Sequence, residues 1–176
     1  MRGSTYPLEV LIDKLTNSIL NTISGDSFPT DVHVLLKGDL KKITRKTGWS
    51  FNWMREFKTN DRVLYKLTIR NNPQIIQGLI SISDQQDHYF VHLIESAPFN
   101  VGKHKLYEGV PGNLIAFVCK ISMDRGYLGF VAFMSKTKLI EHYEKELGAT
   151  HIGGQKMVIF PLEARRLMAT YFPSNP

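Results

Sequence analysis

The 176-residue sequence has 43% hydrophobic and 22% charged side chains, which is the composition of a globular chain rather than a disordered one. Its net charge is +6 and Cys119 is the single cysteine, so an intrachain disulfide is excluded and a reducing, cytoplasmic setting is expected. No apolar run approaches the ~20 residues of a membrane span, and the first residues lack the apolar stretch of a signal peptide. The length suits one domain, which we expect over residues 30–176, after an N-terminal extension over residues 1–29.

The excess of basic residues has two interpretations. A pI near 9.4 suits an anionic partner such as a nucleic acid or a phosphate-bearing cofactor, but the same charge can be scattered over the surface for solubility. The densest basic stretch, residues 41–46, lies on a predicted helix with only Trp49 and Trp53 nearby. These are too few aromatic side chains for a nucleic-acid site, so we do not expect nucleic-acid binding.

The first forty residues give an ambiguous pattern. Apolar positions between Leu8 and Ile23 fit a helix about as well as a broken strand. The turn signal at residues 24–27 and the apolar run at 30–36 lead us to favour a strand-turn-strand unit.

Helix and strand signals are clearer after residue 38. Asp39 is the expected N-cap of a helix that Gly48 ends. The other expected elements are a helix over 50–57, strands over 63–70, 75–83 and 88–95, a helix from Gly112 to Gly126, a strand over 129–135, a helix over 136–147, a strand over 150–160 interrupted by two glycines, and a helix from Pro161 to Tyr171. Short turns between the three consecutive strands imply an antiparallel meander, and the strand-helix-strand step that follows predicts a right-handed parallel crossover.

The loop before the Gly112 helix carries the features of an anion site. Residues 107–113 read Tyr-Glu-Gly-Val-Pro-Gly-Asn, shortly after the basic trio of residues 103–105. The first turn of a helix has unpaired N–H groups that attract anions, and glycines allow a phosphate to approach the backbone. Considered alone, the loop is better explained by a plain strand-to-helix connection.

Two segments resemble the GNAT superfamily of acyl-CoA N-acyltransferases. The run 139–149, Leu-Ile-Glu-His-Tyr-Glu-Lys-Glu-Leu-Gly-Ala, resembles the ending of that family's last core helix, and residues 107–112 resemble a degenerate form of its pyrophosphate loop. The order of elements from about Thr30 to Phe172 is also similar. The resemblance implies an α/β (α+β) fold with a mostly antiparallel mixed sheet, one splayed parallel strand pair and helices on both faces.

The resemblance also implies an activity, a cofactor and a set of site residues. It implies an N-acetyltransferase that binds acetyl-CoA between the splayed strands, and in which an amine attacks the thioester directly. Tyr143 would be the acid that protonates the departing thiolate, and Glu95 the base. The cofactor-binding residues that it implies are Ile94, Ser96, Lys103, Lys105, Gly109, Val110, Gly112, Asn113 and Leu114.

Each candidate also has a purely structural interpretation. Tyr143 shares a helix face with apolar residues and can be a core tyrosine, Glu95 can be a rim carboxylate paired with a lysine, and residues 103–105 can be a solvated loop. The side chains that we interpret as structural rather than catalytic are His92, His142 and Cys119. No cluster has the spacing of metal ligands, so we predict no metal site.

Three alternative functions stay open at this stage. The chain can be a GNAT-shaped binding or interaction protein that has lost catalysis, a toxin-like acetyltransferase acting on charged tRNA, or a module whose aromatic residues near Trp53 dock a partner. For the enzyme, the expected partner is a small-molecule or protein amine that the sequence does not identify. A homodimer also stays open.

Overall fold

The computed structural model describes residues 6–173 of the chain. The strands are β1 (Ile19–Asn21), β2 (Ser27–Phe28), β3 (Thr30–Val34), β4 (Val63–Ile69), β5 (Gly78–Asp84), β6 (Tyr89–Ser96), β7 (Tyr107–Glu108), β8 (Val131–Met134), β9 (Thr150–Gly153) and β10 (Lys156–Ile159). The α-helices are α1 (Trp53–Lys58), α2 (Val110–Asp124), α3 (Ile140–Leu147) and α4 (Pro161–Tyr171). Short 3-10 helices lie at Lys37–Lys42, Arg45–Thr47, Pro98–Asn100 and Thr137–Leu139. Within this range, no helix has the length and apolar character needed to cross a membrane.

A seven-stranded mixed sheet with the order β3-β4-β5-β6-β8-β10-β9 forms the centre of the fold. Its neighbouring strands are antiparallel except for β6 and β8, which are parallel and are connected through α2. The structure therefore confirms the predicted mixed sheet with one parallel pair. A small second sheet with the order β2-β1-β7 lies beside it.

The two faces of the sheet are covered by two separate apolar clusters. In β5, Leu79 belongs to one cluster and Ile80 to the other, because successive side chains of a strand point to opposite faces. The larger cluster packs α2, α3 and α4 on one face. The smaller one packs both tryptophans, Trp49 and Trp53, on the other, so helical segments cover both sides of the sheet as expected.

The helix predicted over residues 39–48 is wrong, because the chain forms two 3-10 helices there. The Thr47 N–H donates to Thr44 Oγ1 and the Thr44 N–H donates to Thr47 Oγ1, a reciprocal cap that starts a new helix in the middle of the expected one. Asp39 is not an N-cap. It lies inside the first 3-10 helix, where its carboxylate accepts the Leu36 N–H at 2.8 Å.

The N-terminal segment is extended rather than helical. β1 and β2 pair as a short hairpin, but the strand predicted over residues 30–36, which is β3, pairs with β4 in the main sheet. Residues 6–18 form no helix, and Leu8 and Ile12 are each only 3% exposed within the larger apolar cluster. This segment is therefore packed against the body of the protein, and it lies at the site described below.

Candidate active site

The parallel strands β6 and β8 separate after a short paired stretch. Their register joins Tyr89, Phe90 and Val91 of β6 to Val131, Ala132 and Phe133 of β8. Beyond this point β6 runs on to Ser96 without a partner in β8. A gap therefore opens between the carboxyl ends of these two strands, as the resemblance implied.

Part of the chain's own N-terminal segment lies in this gap; we call residues 8–16 the strap. Leu8 forms a parallel bridge with Ser135, directly after β8. Its N–H donates to Met134 O at 2.6 Å, and its carbonyl accepts the Lys136 N–H at 3.1 Å. The strap therefore begins as an added strand on the β8 side of the gap.

The middle of the strap is held by helix α3. The hydroxyl of Tyr143, our candidate acid, donates to Val10 O at 2.5 Å, and the Ile12 N–H donates to His142 Nε2 at 2.9 Å. Tyr143 is fully buried. Burial, and next the negative charge of Glu9, raise the pKa of Tyr143, so the phenol remains protonated and able to donate a proton.

The end of the strap contacts the start of α2 through a carboxylate. Asp13 Oδ1 accepts the Gly109 N–H at 3.1 Å, and Asp13 Oδ2 lies 3.1 Å from Lys105 Nζ. Two of the residues predicted to hold the diphosphate of coenzyme A therefore hold an anionic group of the chain itself. The donor set fits an anion, since a carboxylate already occupies it.

The remaining residues predicted on α2 lie at its buried first turn. The Asn113 N–H donates to Gly109 O at 2.9 Å, while its side-chain amide donates to Thr30 Oγ1 at 3.0 Å. Val110 and Leu114 belong to the larger apolar cluster. Pro111 carries no N–H to offer. Lys103 is exposed beside the loop, with no contact to the strap among the described interactions.

Gly112 packs closely against helix α4 at this turn. A Cβ added there would lie 2.0 Å from Tyr171 Oη, and the Tyr171 hydroxyl donates to Lys14 O of the strap at 3.0 Å. We expect Gly112→Ala to lower the free energy of unfolding by about 1–3 kcal/mol, because the buried tyrosine must move. Urea denaturation measures the change.

The matched control for that substitution is Gly38→Ala. A Cβ at Gly38 meets nothing within 4 Å, so its effect should stay within about 0.5 kcal/mol. Equal stability of the two variants would contradict the packing of Gly112 against Tyr171.

Glu95 lies on the opposite side of the gap, near the end of β6. Its carboxylate accepts the Ser50 N–H at 2.7 Å, the Phe51 N–H at 3.3 Å and the indole N–H of Trp53 at 2.8 Å. The partners of Glu95 are therefore N–H groups rather than the lysine of the structural interpretation. These bonds fix the entry into α1 against the sheet.

Two cavities adjoin these residues. One of about 580 Å³ separates the strap from the end of β6 and is lined by Ile94, Glu95 and Ser96. The other, of about 280 Å³, is lined by Arg45 and Arg55. Ser50 and Phe51 line both cavities, so the cavities meet where the Glu95 carboxylate is held.

A buried polar network joins β5 to β6. His92 Nε2 is 2.6 Å from Ser83 Oγ, which also accepts a hydrogen bond from Gln85. Burial, and next the charge of Arg62, lower the pKa of His92 from 6.5 to about 3. The folded protein therefore keeps this imidazole neutral over the acidic range.

The neutral His92 predicts a loss of stability in acid. Between pH 6.5 and about 3, the unfolded chain takes up a proton that the folded chain does not, so the free energy of unfolding falls as the pH falls. The slope should approach about 1.4 kcal/mol per pH unit. Urea denaturation at a series of pH values measures it, and His92→Gln should flatten the curve; identical curves would exclude His92 as the source.

Comparison with known proteins identifies the fold. A chimera of the spermidine N-acetyltransferase SpeG from Vibrio cholerae and hSSAT superposes with a TM-score of 0.56 at 16% identity, covering 78% of this chain and 98% of the chimera. The chain has the GNAT fold. The V. cholerae spermidine N-acetyltransferase in complex with CoA and spermine is similar to this GNAT-fold chain with a TM-score of 0.51 at 16% identity, covering 77% of it and 98% of the enzyme. No family model and no curated protein match the sequence.

The strap lies between the two strands that the GNAT fold splays apart. The resemblance in the sequence implied that acyl-CoA lies between two splayed parallel strands, and the corresponding strands of this structure are β6 and β8. Sequence reasoning missed the strap and the two side chains that fix its end near α2, Asp13 and Tyr171. Asp13 has no local sequence signal for this contact, since Lys105 and Gly109 lie more than ninety residues away along the chain.

Proposed function

We propose that this GNAT-fold chain is an acyl-CoA-dependent N-acyltransferase that transfers an acetyl group from acetyl-CoA to an amine. One observation carries the proposal: the gap between β6 and β8 has anion-binding donors at one end and Tyr143 at the other. Lys105 and Gly109 already hold a carboxylate, which is the chemistry that a diphosphate requires. A similar structure was solved in complex with CoA and spermine, which supports the assignment.

The proposed roles follow from the position of each side chain. The thioester supplies the activated acyl group. Ile94 and Ser96 lie on the part of β6 that has no partner in β8, where their backbone groups can bind the pantetheine arm. The Glu95 carboxylate attracts and deprotonates the amine at the junction of the two cavities. Tyr143, kept protonated by burial, supplies the proton to the departing thiolate.

The acceptor that we propose carries an acidic group beside its amine. Arg45 and Arg55 line the 280 Å³ cavity, and the carboxylate that lines it, Glu56, is already paired with Arg62 at 3.1 Å. Because the carboxylate in the lining is already paired, the positive charges of Arg45 and Arg55 should repel a polyamine and attract a carboxylate or phosphate. This chemistry differs from that of the similar structures, whose names give spermidine as the acceptor.

Binding and transfer assays test this function directly. Titration calorimetry of the full-length protein with CoA and acetyl-CoA should detect binding, and absence of binding at millimolar ligand would overturn the proposal. Mass spectrometry should then detect an acetylated product from amino acids or aminoalkyl phosphates and little from spermidine. Arg55→Ala should raise the KM for the acidic acceptor and leave the CoA affinity unchanged.

A catalytically inactive, ligand-binding GNAT-fold protein is the second candidate. The Tyr143 hydroxyl is engaged by Val10 O, and this observation favours it. The two candidates differ in one measurement, the release of free CoA thiol in the presence of an amine. For either candidate we propose residues 30–176 as the ligand-binding unit and residues 1–29 as an extension that supplies the strap. Whether the protein forms a homodimer stays open.

A further inference from the structure

We infer, resting on the proposed function, that the strap is an internal competitor of acyl-CoA. Residues 8–16 run from the end of β8, at Ser135, to the first turn of α2, at Gly109. A cofactor with its thioester at Tyr143 and its diphosphate at α2 must follow the same route. The cofactor and the strap therefore exclude each other.

The strap places a negative charge, that of Asp13, where the proposed cofactor would place its diphosphate. Asp13 is the negative group at the N-terminal end of α2, where Lys105 and the Gly109 N–H converge on it. The side chains of Asp13 and Lys105 are only 14% and 24% exposed, so solvent screens this pair less than a surface pair. Asp13 thus stands where a phosphate of the cofactor would stand.

The strap also removes the proposed acid from use. The hydroxyl of Tyr143 donates to Val10 O and so cannot be directed at a sulfur atom at the same time. His142 accepts a hydrogen bond from the Ile12 N–H and so holds the next part of the strap. One displacement of the strap would therefore free both the anion site and the acid.

The outer side of the strap is exposed to solvent, so no other part of the described structure must move when the strap leaves the gap. Leu11 is 60% exposed and Leu15 36% exposed, so a single layer of chain covers the gap. Two apolar side chains, Leu8 and Ile12, anchor it in the core. A ligand that binds only the open form has an apparent affinity reduced by the fraction of molecules that are open, so weakening the strap should tighten binding.

Asp13→Ala in the full-length protein tests the competition. By calorimetry, CoA should bind this variant at least about tenfold more tightly than wild type, because the competing anion is gone and both donors are free. Asp13→Asn, which keeps an acceptor for the Gly109 N–H, should give a smaller gain. Asp31→Asn removes an equal charge from an exposed pair with Arg70 and should leave the affinity unchanged.

Hydrogen exchange supplies a readout that is independent of the variants. In wild-type protein the amides of Leu8 and Ile12, both hydrogen-bonded, should exchange slowly and become faster when CoA saturates the protein. If CoA binds wild type and both Asp13 variants equally and the strap amides do not respond, the competition is overturned while the proposed function stands. If no variant binds CoA, both are overturned.

Discussion

Tyr143→Phe is expected to lower the turnover number for acetyl transfer by about 100-fold or more, while acetyl-CoA binds at least as tightly as to wild type. The substitution removes the proton that the departing thiolate needs. It also removes the hydrogen bond to Val10 O, which loosens the strap. Steady-state kinetics with acetyl-CoA as the varied substrate separate the two effects, since the first lowers kcat and the second lowers KM.

Tyr171→Phe is the matched control for this experiment. Its hydroxyl is equally buried and also donates to a strap carbonyl, that of Lys14, but it lies at the opposite end of the strap from Tyr143. This variant should loosen the strap and keep the wild-type turnover number. An equal loss of kcat in both variants would assign the effect to strap geometry and exclude Tyr143 as the acid.

Glu56→Ala should strongly lower the free energy of unfolding. Glu56 is 5% exposed, and its carboxylate accepts hydrogen bonds from Arg62 Nε at 3.1 Å and from Ser81 Oγ at 2.6 Å. Without it, the ion pair that remains to the buried Arg62 among residues 6–173 is the one with Asp61, which is largely exposed. Breaking a buried pair from one side costs about 3–5 kcal/mol.

Urea denaturation followed by tryptophan fluorescence measures this loss, because both tryptophans pack in the adjacent cluster. Asp31→Asn breaks the exposed pair with Arg70 and provides the control, with an expected cost of about 0–1 kcal/mol. If the two substitutions cost the same, the network around Glu56 contributes no more than a surface ion pair.

The sheet and the last helix could be predicted because their signals are local. The alternating pattern over residues 63–70 predicts a strand, and β4 covers Val63–Ile69. Pro161 at the start and Tyr171 at the end of α4 match the predicted bounds, since a proline at the first helical position sets the boundary. The same reasoning located the parallel crossover through α2.

The strap could not be predicted from the sequence, because its hydrogen bonds join residues far apart in the chain. Ile12 and His142 are 130 residues apart, and Val10 and Tyr143 are 133 apart. An extended segment of this kind has no helical or hairpin signal of its own. Its alternating apolar residues fit several interpretations until their tertiary partners are known.

The prediction of a single helix over residues 39–48 was wrong for a different reason. The apolar spacing there is helical, but Thr44 and Thr47 satisfy each other's backbone and end the first turn early. Side-chain competition of this type is invisible to periodicity, since it depends on which hydroxyl reaches which N–H group.

The long sequence separation within the strap has a consequence during synthesis. The strap leaves the ribosome long before α3, which lies some 130 residues later, and at ordinary elongation rates the delay is roughly 10 s. Throughout that interval these residues have no docking surface. By the proposed competition, a nascent chain that completes the gap between β6 and β8 in the presence of coenzyme A can bind the cofactor before the strap docks. The first occupant of the gap would then depend on whether coenzyme A is present during synthesis.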